Sequence, residues 1–164
     1  MYKRQLQEGV EEIQKLSGRS NKPIKNVMIL GGSRIGINTA RELCENKFRV
    51  ILLEQNKLKA MEISEELPDL MVIHGDGRSS ELLEEESIES MDAFISVTEN
   101  SETNIMSCLM ASSKGVEKTI ALVENMDYFH LSQAIGIDTL INKKLLTANT
   151  CLLYTSPSPR DLYR

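Results

Sequence analysis

The chain has 164 residues, 41% of them hydrophobic, and a formal net charge of −5 from 19 basic and 24 acidic side chains. That length suits one domain with a proper core, and the basic residues are too scattered for a nucleic-acid partner. No apolar run approaches the roughly 18 residues that would span a membrane, the N-terminus has no signal-peptide layout, and Cys44, Cys108 and Cys151 form no C-x-x-C. Three such cysteines make neither a disulfide framework nor a zinc site. They point to a reducing cytoplasm, with Cys44 and Cys108 as small core residues on helix faces.

In residues 1–24, Leu6, Val10, Ile13 and Leu16 recur at helical spacing, and Ser17 to Pro23 reads as a linker. A helix and linker ahead of the first strand suggest the end of a preceding module, with a disordered leader as the alternative. Val27-Met28-Ile29-Leu30 then runs into Gly31-Gly32-Ser33-Arg34-Ile35-Gly36. Beyond it Gly36, Ala40, Leu43 and Cys44 share one helical face. A buried strand, a tight turn and a helix start form the phosphate-binding corner of a nucleotide fold. Gly31 can make the sharp turn, and Gly36 lets helix and strand pack closely. The helix N-terminus offers unpaired N–H groups and partial positive charge to a pyrophosphate.

Against G-x-G-x-x-G, Ser33 holds the middle position, where backbone should approach phosphate. Either Gly32 shares that role or the Ser33 hydroxyl itself bonds a phosphate oxygen; an ordinary glycine turn is the plain alternative. Arg34 can clamp a phosphate bidentately or simply start the helix in solvent. Arg49–Glu54 reads as a second buried strand ending in an acid, 18 residues after Gly36. A carboxylate there can accept from both ribose hydroxyls and repels a 2′-phosphate. NAD or an adenosine nucleotide is therefore expected over NADP.

A helix near Lys57–Glu66 is ended by Pro68, and Leu70–His74 is the third strand. The tight loop Gly75-Asp76-Gly77 follows. Asp76 either accepts from an adenine amino group or is a turn aspartate; His74 is read as structural. A charged helix covers Ser79–Glu86. Ala93–Val97 is the fourth strand, leading to Thr98-Glu99-Asn100, where Thr98 can face the ligand's centre. Asn100 or Ser101 caps a helix near Glu102–Ser113. Its residues Ile105, Cys108, Leu109 and Ser112 are spaced to face the sheet. Met106 and Met110 form a second apolar face suited to self-association, or else part of one broad stripe.

Lys118–Val123, a helix near Asp127–Ile135 and a short strand Asp138–Ile141 complete the alternation. The pattern predicts an α/β fold, a Rossmann-like doubly wound parallel sheet of about six strands with helices on both faces. Cys151–Arg164, with Pro157 and Pro159 and no periodicity, breaks it, so residues 150–164 read as a non-native or disordered tail.

Outside the nucleotide corner there is no nucleophile–base pair, metal cluster or proton-transfer constellation, and His74 and His130 are the only histidines. The expected role is regulatory and not enzymatic. The alternative is the nucleotide-binding domain of an NAD-dependent oxidoreductase separated from its substrate domain.

Five stretches together resemble a known family: Ile29 to Gly36, Leu53-Glu54, His74 to Gly77, Val97 to Asn104 and Ile141 to Ala148. They are similar to the N-terminal lobe of an RCK domain (regulator of potassium conductance), of the kind in Trk system potassium uptake regulatory proteins (TrkA-type). The similarity runs over residues 25–149, and the T-x-x-x-E-x-N run from Thr98 to Asn104 is its most specific part. It implies a lobe that binds NAD(H) or an adenine nucleotide (ATP or ADP) and assembles as a dimer or ring. Such assemblies lie on the inner face of the cell membrane, under a potassium channel or transporter subunit. Many such proteins carry two modules in tandem, which makes this the second. The resemblance gives Gly31, Gly32, Ser33 and Gly36 the phosphates, Glu54 the ribose and Asp76 the adenosine end, with Arg34 and Thr98 nearby and Ile35 and Gly77 also among the cofactor-binding residues. Ser33 in place of the middle glycine is its main departure.

Overall fold

The computed structural model describes residues 23–125, 128, 137–142 and 144. The expected N-terminal helix, most of the 127–135 helix, the residues after Lys144 and the tail lie outside them. Within them the chain runs β1 (Asn26–Leu30), α1 (Arg34–Glu45), β2 (Arg49–Glu54), α2 (Lys57–Glu66), β3 (Met71–His74), α3 (Ser80–Glu85), a 3₁₀ turn (Ile88–Ser90), β4 (Ala93–Ser96), α4 (Ser101–Ser113), β5 (Lys118–Leu122) and β6 (Thr139–Ile141).

The six strands form one parallel sheet in the order β3-β2-β1-β4-β5-β6. β1 is central, pairing Ile29 with Leu52 of β2 and with Ile95 of β4. Successive side chains on a strand point to opposite faces, and both faces here are covered, which is why these strands read as unbroken apolar runs. Val27, Ile29, Val50 and Leu52 pack with Ala40 of α1 and Ile63 of α2 on one side. Met28, Leu30, Ile51, Leu53 and Phe94 pack with Leu83 of α3 and Ile105, Cys108 and Ala111 of α4 on the other. Each fully buried Val, Leu, Ile, Phe or Met among them contributes about 1.5–3 kcal/mol of burial.

The elements end where local hydrogen bonds end them. β3 starts at Met71 and not Leu70, because the Leu70 N–H closes a turn onto the Leu67 carbonyl at 3.0 Å. α4 starts at Ser101, because Asn100 Oδ1 accepts the Thr103 N–H at 2.8 Å and caps the first turn.

Three expectations need correction. The buried stripe of α4 is Asn104, Ile105, Ser107, Cys108 and Ala111, and Ser112 is exposed. From Cys108 the helix returns to the sheet three residues on, not four, at the smaller alanine. Met106 is 59% exposed, whereas Met110 is partly buried against the core, so the two do not form one free face. Cys44 is only half-buried beside the first cluster. Cys108 is fully buried, and desolvation pushes its thiol up to about 12.

Candidate functional site

β1 leads to β2 on one side of the sheet order and borders β4 on the other, so the strand order reverses beside it. Ligands of open α/β sheets bind in the crevice at such a point, past the carboxyl ends of the strands. A cavity of about 350 Å³ lies there, lined by the ends of β1 and β2 and by the segments that follow β3 and β4. That volume is within the usual range for small-molecule sites.

The corner after β1 is built by three glycine-specific features. Gly31 sits at φ +104°, in the region that disfavours side chains, and donates its N–H to the Leu53 carbonyl at 2.8 Å. Gly36, in the first turn of α1, lies against it; a Cβ there would stand 2.1 Å from the Gly31 carbonyl oxygen. Gly77 is pressed onto Leu30, whose Cδ1 would be 2.2 Å from an added Cβ.

Ser33 is the N-cap of α1. Its hydroxyl accepts the Gly36 N–H at 3.3 Å and donates to the Val97 carbonyl at 2.7 Å. It therefore ties the glycine corner to the end of β4. The hydroxyl proton is already used, which counts against the Ser33 hydroxyl as a phosphate donor. The N–H groups of the first turn of α1 remain the donors that no helical carbonyl can satisfy.

Glu54 is 9% exposed at the end of β2. Its Oε2 accepts the Gly32 N–H and its Oε1 the Asn56 N–H, both at 2.8 Å, with the Lys59 ammonium 3.9 Å from Oε2. A carboxylate oxygen has two acceptor positions, so each oxygen keeps one beyond the backbone N–H it accepts. Asp76 is held bidentately by Arg78, with Nη2 2.8 Å from Oδ2 and Nε 3.0 Å from Oδ1. The Arg78 hydrogen bonds keep its carboxyl below the usual carboxylate range. His74 Nε2 meets the Gln55 carbonyl at 3.1 Å, consistent with a structural histidine.

Of the residues singled out in the sequence, Gly31, Ser33, Glu54, Asp76, Gly77 and Thr98 line the cavity. Gly32 and Gly36 are buried beside it. Arg34 and Ile35 are exposed and outside its wall. α1 packs through Gly36 and Ala40, and two residues back along a helix is about 200° round its axis, so the Arg34 side chain falls on the open side. The Arg34 and Ile35 backbone N–H groups lie in the first turn of α1, where no helical carbonyl pairs with them.

Sequence reasoning missed Lys59 and Arg78, the two cations of the cavity wall, and gave no role to Asn104. Asn104 is 1% exposed. Its Oδ1 accepts from Ser96 Oγ, Thr98 N and Thr98 Oγ1 at 2.9, 2.9 and 2.6 Å, and its Nδ2 donates to the Thr98 and Leu122 carbonyls at 3.0 and 2.8 Å. One amide thus fixes Thr98 against both β4 and β5. Its place at the end of the T-x-x-x-E-x-N run was the available signal.

The residues present fit a nucleotide: a glycine corner under a helix N-terminus, a carboxylate ending β2 and a polar loop past β3. Fold and site together define a Rossmann-type α/β lobe with a cavity where its strand order reverses. A family model described as TrkA-N domain matches residues 27–143, and the chain belongs to that family. It is 38% identical over 136 residues to the Trk system potassium uptake protein TrkA of Vibrio alginolyticus, covering 83% of this chain and 30% of that protein. The chain thus spans about 30% of the length of the curated relatives it matches. Among solved structures, the TrkA-N domain of inner membrane protein ybaL from Escherichia coli matches with a TM-score of 0.73 at 16% identity, covering 81% of this chain and 98% of that one. The GsuK channel bound to NAD matches with a TM-score of 0.63 at 18% identity, covering 74% of this chain and 22% of that one. At those identities the structural matches establish the fold.

Proposed function

We propose that this chain is a regulatory lobe of a potassium uptake system, and that NAD(H) or an adenine nucleotide such as ATP or ADP binds in the cavity at the end of β1. The observation that carries this is the convergence of Gly31, Ser33, Glu54, Asp76 and Thr98 on one cavity at the point where the strand order reverses. The phosphates lie over the glycine corner and the first N–H groups of α1. The ribose meets Glu54, and the adenosine end meets Asp76 and Gly77. The name of the Vibrio relative supports a transport role over a separated dehydrogenase domain. The NAD-bound GsuK channel supports the ligand class.

In this reading the lobe covers residues 25–149 and follows the end of a preceding module. It self-associates on the inner face of the cell membrane beneath a channel or transporter subunit. Nucleotide shifts the gate only by binding two arrangements of the assembly with different affinity. Among the described residues no helix is long and apolar enough to cross a membrane, which is consistent with a separate membrane partner.

Calorimetric titration with NAD, NADH, ATP and ADP tests the reading. Binding of at least one with a Kd on the order of micromolar, about −8 kcal/mol, is the expected result. Absence of heat for all four up to millimolar ligand overturns it.

A further inference from the structure

The cavity wall contains an ion pair that the phosphate and ribose assignments leave unused. Arg78 lines the cavity with 57% of its side chain exposed, and its Nε and Nη2 both donate to the Asp76 carboxylate. The Arg78 backbone N–H also donates to Asp76 Oδ1 at 3.0 Å, so residues 76–78 form one closed loop. Nε and Nη2 make up one edge of the guanidinium, the edge that would otherwise clamp a phosphate. With that edge occupied, only the Nη1 side of the group keeps free N–H donors, and the Asp76 carboxylate beside it disfavours a phosphate there. What it still offers is a flat, preoriented π-cationic face, the surface on which a heteroaromatic base stacks. The apolar side chains of Leu30 and Leu53 line the same cavity.

We propose that Arg78 is the base-stacking residue of this site, and that Asp76 is a positioning residue that holds the guanidinium flat. The proposal rests on the reading of the cavity as a nucleotide site. It reassigns Asp76 from direct contact with the adenine to support of the group that contacts it.

The test is ADP titration of the full chain and of Arg78→Ala, Arg78→Lys and Asp76→Asn, at low and high salt, with circular dichroism to show that each variant is folded. Base stacking lost by truncation costs about 1–3 kcal/mol, so Arg78→Ala should bind ADP roughly five- to a hundredfold more weakly. Arg78→Lys, a charge without a flat face, should not recover the loss, and Asp76→Asn should show a smaller one. The salt dependence of Arg78→Lys should match that of the unaltered chain, because the charge is kept. Unchanged affinity in Arg78→Ala overturns the proposal. So does full recovery by lysine, which would make the charge of Arg78, and not its flat face, the contact. Failure of the unaltered chain to bind ADP or any of the other three nucleotides would instead overturn the nucleotide reading itself.

Discussion

Glu54 at the end of β2 and Gly32 after β1 meet across 22 residues of chain, the Glu54 Oε2 accepting the Gly32 N–H at 2.8 Å. The acid that should bind ribose also shapes the corner that should bind phosphate. In Glu54→Gln the side chain keeps one acceptor oxygen and gains an NH₂. Either the Gly32 or the Asn56 N–H then faces a donor. Leaving a buried donor unpaired costs about 1–3 kcal/mol. The variant should therefore lose stability by that order in urea unfolding and, separately, bind NAD or ATP about 1–3 kcal/mol more weakly. Unchanged nucleotide affinity would remove Glu54 from the ribose site while leaving its structural role intact.

Ser33 separates two explanations that the sequence left open. As an N-cap whose hydroxyl also holds the Val97 carbonyl, it supports the fold. Ser33→Ala should lower stability by about 1 kcal/mol, the usual cost of losing a cap. Ser33→Gly should lower it less at the cap but still lose the bond to Val97. Nucleotide affinity should fall by less than tenfold, about 1.4 kcal/mol, in both. A larger fall with unchanged thermal stability would make the hydroxyl a ligand to phosphate.

Asn104 has no ionised partner, yet its substitution should be the most damaging of those considered. Asn104→Asp replaces a donor to two carbonyls with an acceptor, setting an oxygen against the Thr98 and Leu122 carbonyls in a buried site. Asn104→Leu leaves those carbonyls and the Ser96 hydroxyl without partners. Each lost buried pairing costs about 1–3 kcal/mol, and several are lost together. Both variants should unfold at much lower denaturant concentration. Retained stability in Asn104→Leu would show that the network is dispensable to the fold.

The Asp76–Arg78 pair predicts a pH dependence. Arg78 holds the Asp76 carboxyl below its usual range in the folded chain, so the unfolded chain takes up the proton at higher pH. The pair's contribution is present above about pH 4, where the unfolded carboxyl is ionised, and fades as pH falls through the lower folded value. Both side chains are more than a third exposed, so solvent and salt keep the effect small. Unfolding of the wild type and of Asp76→Asn, followed from neutral pH downward, should show a small difference that closes in acid. A difference that grows in acid would contradict the pairing.

Much of the fold was readable in the sequence, because a parallel sheet covered on both faces writes itself as apolar runs. Arg49–Glu54 and Lys57–Glu66 match to the residue. The other elements miss by a residue at one or both ends, and at Leu70 and Ser101 a single turn or cap hydrogen bond sets the boundary. The site residues fixed by backbone need were also readable: Gly31 by its positive φ, Gly36 by its contact with the Gly31 carbonyl. Lys59 and Arg78 were not, since a lysine in a helix's first turn and an arginine after a Gly-Asp-Gly loop look like ordinary solvated charges. Their place on the wall depends on where α2 and the β3–α3 loop sit. Asn104 was hidden because a single buried amide in the first turn of a helix has no period of its own. Its partners on β4 and β5 are brought to it only by the sheet.

Met106 is the remaining exposed apolar side chain of α4, at 59%, next to a stripe otherwise given to the core. Met110, one turn on, is already partly packed against that core. The sequence paired the two as one contact surface; the structure assigns them different tasks, and charge substitution can separate them. Met106→Glu should leave the unfolding transition nearly unchanged, since it places a charge where solvent already reaches. Met110→Glu should destabilise the monomer, because it brings a carboxylate against buried apolar groups. If lobes associate through this part of α4, Met106→Glu alone should dissociate the assembly, because a flexible thioether tolerates an apolar interface that a carboxylate does not. Light scattering of the purified chain over a micromolar concentration series checks this. Dimers or larger species should appear in the wild type and shift towards monomer in Met106→Glu. A wild-type monomer throughout, or an assembly indifferent to the charge at position 106, would place self-association elsewhere or nowhere on this lobe.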